Sequence, residues 1–163
     1  ISFVKDSFPI FGLIYSPTEK LSYYAIKGHG TFILKDNKPA HKIKCKSFKS
    51  DDFTILTSSS MRESKINLMR DYVPLCRIKK MSSALKFGII ANGSGGFYPR
   101  LGPTHEWDTA AGQCIIEEAG GSVVDKNMQR LKYQKNNTYL NSEFFVLGDK
   151  SHDWSDLIRS LCL

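Results

Sequence analysis

A chain of 163 residues is long enough for one domain, or for one domain with part of another. Hydrophobic residues make up 41% of the chain, which excludes a disordered polypeptide, and no apolar run approaches the roughly 20 residues of a membrane-spanning helix. The net charge of +7 comes mostly from lysine and would suit a small polyanionic substrate. A nucleic-acid polymer is a weaker alternative, because no DNA- or RNA-binding signature occurs, and we expect the five lysines between 38 and 49 to form a solvated face.

Residues 1–34 predict a meander of antiparallel strands. The apolar runs lie at 1–4, 8–16, 21–26 and 31–34, separated by turn-forming residues. Such a sheet buries little by itself, so we expect it to complete a larger sheet whose other strands lie upstream. The chain begins at Ile1, already inside a strand pattern, which favours a missing amino-terminal portion. Strands 1–34 would then pair with that segment or with another copy.

From residue 35 onwards, strand and helix patterns alternate. Strands are predicted at 53–57, 74–81, 95–100, 121–125 and 143–148, and helices at 62–72, 82–93, 108–119 and 151–161. The last helix has Ser151 as its expected cap. This alternation indicates an α/β fold with layered α+β character and a mixed or parallel sheet. Residues 1–35 are assigned to an amino-terminal sheet, and 36–163 to a carboxyl-terminal α/β domain.

The cysteines predict a reducing compartment. They are scattered along the chain, without a C-x-x-C pair or histidines at zinc-finger spacing, at Cys45, Cys76, Cys114 and Cys162. A disulfide frame remains an alternative, but a chain of this size does not need one. We expect free thiols, with Cys114 in a helix core, and a location in the cytoplasm or peripherally at the inner membrane surface.

Two predicted helix starts follow strands directly and carry polar groups. Ser82 and Ser83 begin one helix, with Lys86 a turn later; Asp108 begins the next, and Arg100 ends the strand between them. In open α/β sheets, ligands bind at such positions, and these groups could hold a phosphate and a cation. Serines that only cap the helix, with a solvated Lys86, are the alternative.

Asp108 has two possible roles on local pattern alone. Asp is a favoured N-cap residue, and the helix that follows it would end where Gly120 permits a positive φ. Ala110, Ala111 and Gly112 give the first turn a bare surface that a backbone or a ligand can approach. Whether the carboxylate only caps the helix or also binds a ligand stays open on this pattern.

The longer motifs resemble those of a known family. WDTAAGQCIIEEAGG at 107–121 resembles the second signature of the inositol monophosphatase superfamily, W-D-x-A-A-G, several apolar positions and E-A-G-G. SSALKF at 82–87 and YPRLGPTHEWD at 98–108 resemble its CysQ-type 3'(2'),5'-bisphosphate nucleotidase branch. The resemblance runs along nearly the whole chain and implies the carboxyl-terminal α/β domain of that sugar-phosphatase fold, with part of its amino-terminal antiparallel sheet.

The resemblance also implies a binding site. The matches to Ser83, Lys86 and Arg100 contact the nucleotide in that branch, and the match to Asp108 is both a helix cap and a Mg²⁺ ligand. Inositol monophosphatases usually have a glutamate at the position of Arg100, whereas an arginine suits a second phosphate. The implied substrate is therefore adenosine 3',5'-bisphosphate, hydrolysed to AMP and phosphate, and inositol or sugar monophosphates are a less favoured alternative.

The family's first signature, D-P-x-D-G-T, does not occur in this sequence, nor does its upstream glutamate. In the family these residues supply catalytic and metal-binding acids amino-terminal to the strand that matches 1–4. One carboxylate cannot hold two or three Mg²⁺ ions, so we expect this chain alone to be inactive and assign no catalytic residue within it. A non-catalytic nucleotide- or partner-binding module is the second hypothesis.

Two smaller departures from the branch concern the nucleotide. Met81 stands where the branch often has glycine, and Met61 where it often has a histidine near the nucleotide. We expect weaker base or ribose contacts as a result. The four histidines have no assignable partner in the sequence, and we expect them at the surface or in turns.

Overall fold

The computed structural model describes residues 1–36, 38–134 and 138–163. Within these ranges the chain forms two five-stranded sheets, a two-stranded ribbon and four α-helices. The α/β class expected from the alternating patterns is confirmed. None of the helices in the described ranges combines the length and the apolar character needed to cross a membrane.

The first sheet is the predicted antiparallel meander with one strand more. In spatial order, which is also chain order, its strands are β1 (Ser2–Lys5), β2 (Phe8–Ser16), β3 (Leu21–Ile26), β4 (Gly30–Lys35) and β5 (His41–Ile43). The strand β5 was not predicted, because only Ile43 of its three residues is buried and no alternation can be read from so short a run. The predicted boundary at residue 35 thus falls between two strands of one sheet, and the division into domains stays a prediction.

The second half contains the remaining elements. They are β6 (Thr54–Thr57), α1 (Glu63–Tyr72), β7 (Arg77–Lys80), α2 (Leu85–Ala91), β8 (Phe97–Arg100), β9 (Thr104–His105), α3 (Glu106–Glu118), β10 (Ser122–Asp125), β11 (Leu140–Asn141), β12 (Phe144–Leu147) and α4 (Ser155–Cys162). The second sheet has the order β10-β12-β8-β6-β7. Strands β7, β6 and β8 are parallel, and β8, β12 and β10 antiparallel, which confirms a mixed sheet. The short strands β9 and β11 pair with each other and were not predicted.

Helix α3 joins the two sheets. It lies on the first sheet, where Gly12 of β2 meets Ala111: a Cβ built on Gly12 would stand 2.3 Å from the Ala111 carbonyl oxygen. On α3 itself, a Cβ on Gly112 would stand 2.3 Å from the ring of Phe87 on α2. The small residues at the start of this helix therefore pack against the backbone of β2 and against an aromatic ring of α2. Gly120 follows α3 at φ 98°, as its predicted role requires.

The second sheet has a core on each face. One core contains Tyr98 and Phe144 with residues of α2 and α3, and it is continuous with the inner face of the first sheet. The other contains Phe97 and Phe145 with residues of α1 and α4, and its centre is the fully buried Trp154. Residues that alternate along β8 and β12 therefore bury both faces of this sheet, which explains its almost continuous apolar runs.

Two predicted helix starts were wrong by three and four residues. Helix α2 begins at Leu85 rather than at residue 82, and α4 begins at Ser155 rather than at 151. Ser151 does not cap α4, because its hydroxyl donates to the Oδ1 of Asp149 at 2.6 Å. The amide of Ser155 donates instead to Asp153 at 2.9 Å. Several acceptors precede this helix, and the sequence alone does not show which of them its first amides meet.

The cysteines and the lysines lie where the sequence predicted. All four cysteines are free, and Cys114 is buried in α3. The five lysines between 38 and 49 are exposed. Two histidines depart from the prediction, because both are half-buried and stack on aromatic rings. His152 stacks on Phe48, with ring centroids 4.1 Å apart, and His105 in β9 stacks on Trp107, with ring centroids 4.4 Å apart. A single imidazole gives no sequence signal for such a contact.

Candidate functional site

The carboxyl ends of three parallel strands meet at one edge of the second sheet. Strands β6, β7 and β8 end there, and the chain continues into loops at 58–62, 81–84 and 101–103. The hydroxyls of Ser59 and Ser82 lie 3.2 Å apart and join the first two loops. Ligands of open α/β sheets bind at such an edge, so the topology places the candidate site here.

A tight turn after β7 presents Ser83. Its φ of 85° is in the left-handed region, which is unusual for serine, and its hydroxyl accepts the amide of Leu85 at 3.2 Å. The ammonium of Lys86 holds the same turn from inside, because it donates to the carbonyl oxygens of Met81 at 3.1 Å and Ser83 at 2.9 Å. A non-glycine residue at positive φ persists where its surroundings fix it, and these three bonds fix this one.

Lys86 is buried, not solvated. It is 3% exposed, so the alternative of a solvated lysine is wrong. Its nitrogen lies 4.7 Å from the ring centroid of Tyr98, within the range of a cation–π contact. Burial and, to a smaller extent, the positive charge of Arg100 lower the pKa of Lys86 to about 8. Two of the three ammonium donors bond to the turn, so its first role is to position that turn.

Tyr98 connects the predicted site residues. Burial raises the pKa of its hydroxyl to about 12; the positive charge of Arg100 acts against this rise and the negative charge of Asp108 adds to it. The phenol is therefore within electrostatic range of both charged groups, while its ring contacts Lys86. Tyr98 could not be predicted as a site residue, because a buried aromatic residue within a strand gives no functional signal of its own.

Arg100 projects at the end of β8 and is half-buried. One guanidinium nitrogen donates to the carbonyl of Pro103 at 3.1 Å. Its Nε is buried and finds no partner among the described residues. The side chain lines a groove of about 440 Å³ together with residues of the 58–62 loop and of α1. Because this guanidinium lies beside an open groove and does not use all its N–H donors, it can bind an anion there.

Asp108 is not the cap of its helix. The N-cap of α3 is His105, and Asp108 is the third helical residue, where its Oδ2 accepts the amide of His105 at 2.8 Å. The helix begins earlier than predicted, because the ribbon strand β9 brings Glu106 to the carbonyl of Tyr139 at 2.9 Å. An acid at this position still satisfies an orphan amide and suits the helix dipole.

The carboxylate of Asp108 remains accessible. Its side chain is 48% exposed, and no described residue donates a hydrogen bond to its other oxygen. Across 1–36, 38–134 and 138–163, no three His, Cys, Asp or Glu side chains lie close enough to hold a metal ion. Asp108 can therefore offer one oxygen ligand, and the other ligands of a divalent cation would have to come from elsewhere.

The two methionines at branch-specific positions have different surroundings. Met61 is buried in the core that contains Trp154, and it also lines the groove beside Arg100. Met81 is half-buried, and its carbonyl holds the ammonium of Lys86. Neither side chain offers a polar contact to a ligand.

Comparison with known proteins identifies the fold. A sequence profile described as "Inositol monophosphatase family" matches residues 1–155. Among solved structures, CysQ from Bacteroides thetaiotaomicron, described as a bacterial member of the inositol monophosphatase family, superimposes with a TM-score of 0.79 at 26% identity. The superposition covers 91% of this chain and 61% of that one.

Curated relatives are similar over almost the whole chain. A protein of Haemophilus influenzae named 3'(2'),5'-bisphosphate nucleotidase CysQ is 30% identical over 165 residues, which cover 98% of this chain and 60% of the relative. A protein of the same name from Buchnera aphidicola is 34% identical over 148 residues, 90% of this chain and 55% of that protein. This chain therefore spans less than two thirds of the length of the relatives that it matches.

Proposed function

This chain belongs to the inositol monophosphatase family, and on that premise we propose that it is the nucleotide-recognition part of a Mg²⁺-dependent phosphatase. The proposed reaction removes the 3'-phosphate of adenosine 3',5'-bisphosphate and leaves AMP. The names of the curated relatives, 3'(2'),5'-bisphosphate nucleotidase CysQ, support this substrate.

One observation carries the proposal: polar groups gather beside Tyr98 at one sheet edge. The ammonium of Lys86 lies over the Tyr98 ring and donates to the Ser83 carbonyl. The Tyr98 hydroxyl is within electrostatic range of Arg100 and Asp108. Ser83, Lys86 and Arg100 come from two neighbouring strand ends, and Asp108 comes from the start of α3. Three of the four groups suit phosphate oxygens, and the fourth suits a hard cation. Such a combination fits a phosphate ester with a metal ion at its reacting end.

Each side chain has a distinct proposed role. Arg100 holds the phosphate that is not cleaved, because its guanidinium has donors to spare and reaches the groove. Ser83 supplies an exposed hydroxyl, on a turn that Lys86 fixes from beneath. The positive charge of Lys86 also favours an anion above the turn. Together these groups orient the nucleotide before any bond breaks.

The described residues could supply part of a Mg²⁺ site. Asp108 offers one accessible carboxylate oxygen, which is one ligand of an octahedral shell. When bound, the metal would stabilise negative charge on the phosphoryl oxygens and make a bound water more acidic. Since no three His, Cys, Asp or Glu side chains among the described residues lie close enough to hold a metal ion, we infer that this chain alone does not hydrolyse its substrate.

The arginine favours a nucleotide over an inositol or sugar phosphate. A polyol ring presents neutral hydroxyls, and a guanidinium beside them would lack an anionic partner. A second phosphate supplies that partner in a bidentate geometry. Hydrolysis of inositol phosphate is therefore the second candidate within this family.

We also propose that a further segment covers the outer face of the first sheet. Large apolar side chains lie exposed on this face, including Phe3, Tyr15, Ile26 and Leu34, and Phe3 is 64% exposed. A contiguous apolar surface of this kind usually marks an interface. The relatives are longer than this chain, so we expect the additional length to cover the face, with a second copy as the alternative. Size-exclusion chromatography in which the chain remains a monomer at high concentration would count against both.

The decisive experiment is phosphate release by a completed enzyme, in which this chain is joined to the part of a curated relative that it does not match. We expect Mg²⁺-dependent release from adenosine 3',5'-bisphosphate, and much slower release from inositol phosphate and by the chain alone. Metal-independent binding of the nucleotide without hydrolysis would indicate a binding module instead. Release from inositol phosphate alone would indicate the second candidate.

A further inference from the structure

The groove beside Arg100 has a lining of its own, and Arg100 is the one residue of the proposed site among its described lining residues. Arg62 and Lys65 of the α1 region line it, with the hydroxyls of Ser58 and Ser60. Its volume of about 440 Å³ lies within the range of small-ligand sites, roughly 300 to 1,000 Å³. It therefore has room for more than the single phosphate group that Arg100 would hold.

Two of the positively charged side chains that line this groove have no side-chain hydrogen bond or ion pair among the described residues. They are Arg62 and Lys65, and Lys65 is half-buried. The acid next to them in sequence, Glu63, pairs instead with Arg70 and with Lys80, at 3.1 and 3.6 Å.

With Arg100, three cationic side chains face the groove. Glu143 is the single acidic side chain among the described groove residues. An excess of positive charge in a partly enclosed space favours an anionic ligand.

Two properties of the groove favour a chain of linked phosphates over a nucleobase. No aromatic side chain lines it among the described residues, so it has no ring on which a base could stack. Its hydroxyls and cations are spread along it, from the loop after β6 to Arg100. One phosphate at Arg100 would leave Arg62 and Lys65 without an anionic partner.

We propose that this groove recognises a polyphosphate extension, two or more linked phosphates that continue from the phosphate at Arg100. The inference rests on the proposed function and refines its substrate class. The preferred ligand is a nucleoside 3'-phosphate with a 5'-diphosphate or 5'-triphosphate, and adenosine 3',5'-bisphosphate is its shorter analogue.

Calorimetry of this chain in EDTA tests the inference without any metal or turnover. The ligands are adenosine 3',5'-bisphosphate, the corresponding 5'-diphosphate with the same 3'-phosphate, inorganic orthophosphate and inorganic tripolyphosphate. We expect the 5'-diphosphate to bind about tenfold more tightly than the bisphosphate, since each half-exposed cation contributes a factor of a few. Tripolyphosphate should likewise exceed orthophosphate.

Two matched double variants make the test specific. Arg62→Gln with Lys65→Gln should abolish both preferences and leave affinity for the bisphosphate nearly unchanged. Lys44→Gln with Lys49→Gln removes the same charge from the exposed lysine face and should keep both preferences. Circular dichroism would show that both variants fold.

The outcomes separate the groove from the proposed function. The proposed groove would be contradicted if the unmodified chain bound the 5'-diphosphate and the bisphosphate with equal affinity. It would also be contradicted if the variant with Arg62→Gln and Lys65→Gln kept the preference for the longer phosphates. Loss of the preference in both double variants would also overturn it, because net charge alone would then explain it. A groove-dependent preference for tripolyphosphate without nucleotide binding would keep the groove and reject the proposed nucleotidase.

Discussion

We expect nucleotide binding to weaken at mildly alkaline pH, because the buried ammonium of Lys86 loses its proton there. An ordinary lysine keeps its charge to about pH 10, but burial lowers the pKa of Lys86 to about 8. A lysine with a lowered pKa is charged below that value and neutral above it. The contribution of Lys86 to phosphate binding is therefore largely present at pH 7 and is lost as the pH rises through 8.

The size of the effect follows from that pKa. The ammonium is about nine-tenths protonated at pH 7 and about one-tenth at pH 9. If binding requires the charge, affinity for adenosine 3',5'-bisphosphate falls about tenfold over this interval, or about 1.4 kcal/mol. The phosphates of the ligand titrate near pH 6, below this interval, so they contribute little to the change.

Calorimetry between pH 7 and pH 9 measures this change, with Lys86→Met as the control. Methionine keeps the length and the apolar stem of the side chain and has no titrating group. The variant should bind weakly at pH 7 and show no further loss to pH 9. A flat profile in the unmodified chain, or the same decline in the variant, would refute the role given to this ammonium.

The remaining predictions concern the guanidinium, the metal ligand and the packing of α3. Arg100→Lys should weaken binding of the bisphosphate and of AMP about tenfold each in calorimetry, because both carry the uncleaved phosphate and lysine lacks the bidentate fork. Adenosine 3'-phosphate, which lacks that phosphate, should lose less; an equal loss for this ligand would contradict the assignment. Asp108→Asn should change the melting temperature by only a few degrees, because the amide oxygen can still accept the hydrogen bond from the His105 amide. The same substitution should abolish Mg²⁺-dependent phosphate release by the completed enzyme; unchanged release would exclude Asp108 as a metal ligand. Gly12→Ala should cost about 1–3 kcal/mol in urea denaturation, because its Cβ meets the rigid backbone of Ala111; an unchanged midpoint would show that the sheet can shift.

The sequence predicts the long elements well, because their signals are strong. Nine-residue β2 and thirteen-residue α3 carry clear apolar patterns, and both lie where those patterns place them, although α3 starts two residues early. The short strands β5, β9 and β11 span only two or three residues, so no periodicity can be read from them. Their pairing comes from tertiary contacts, which a local pattern does not contain.

The candidate site is predicted only in its residue types. The motifs point to Ser83, Lys86 and Arg100, but not to the burial of Lys86 or to the Tyr98 ring beneath it. Asp108 was expected to cap its helix, and the β9–β11 ribbon moves the cap three residues back. Helix boundaries depend on which amide finds which acceptor, and that choice is made in three dimensions.

A crystal structure of the completed enzyme with adenosine 3',5'-bisphosphate and Ca²⁺, a cation that binds without supporting rapid turnover, would test the central claim most directly. We expect the uncleaved phosphate on the guanidinium of Arg100 beside the Ser83 hydroxyl, and a cation on the accessible oxygen of Asp108. A nucleotide bound at another edge of the sheet, or a cation whose shell does not include that carboxylate, would contradict it.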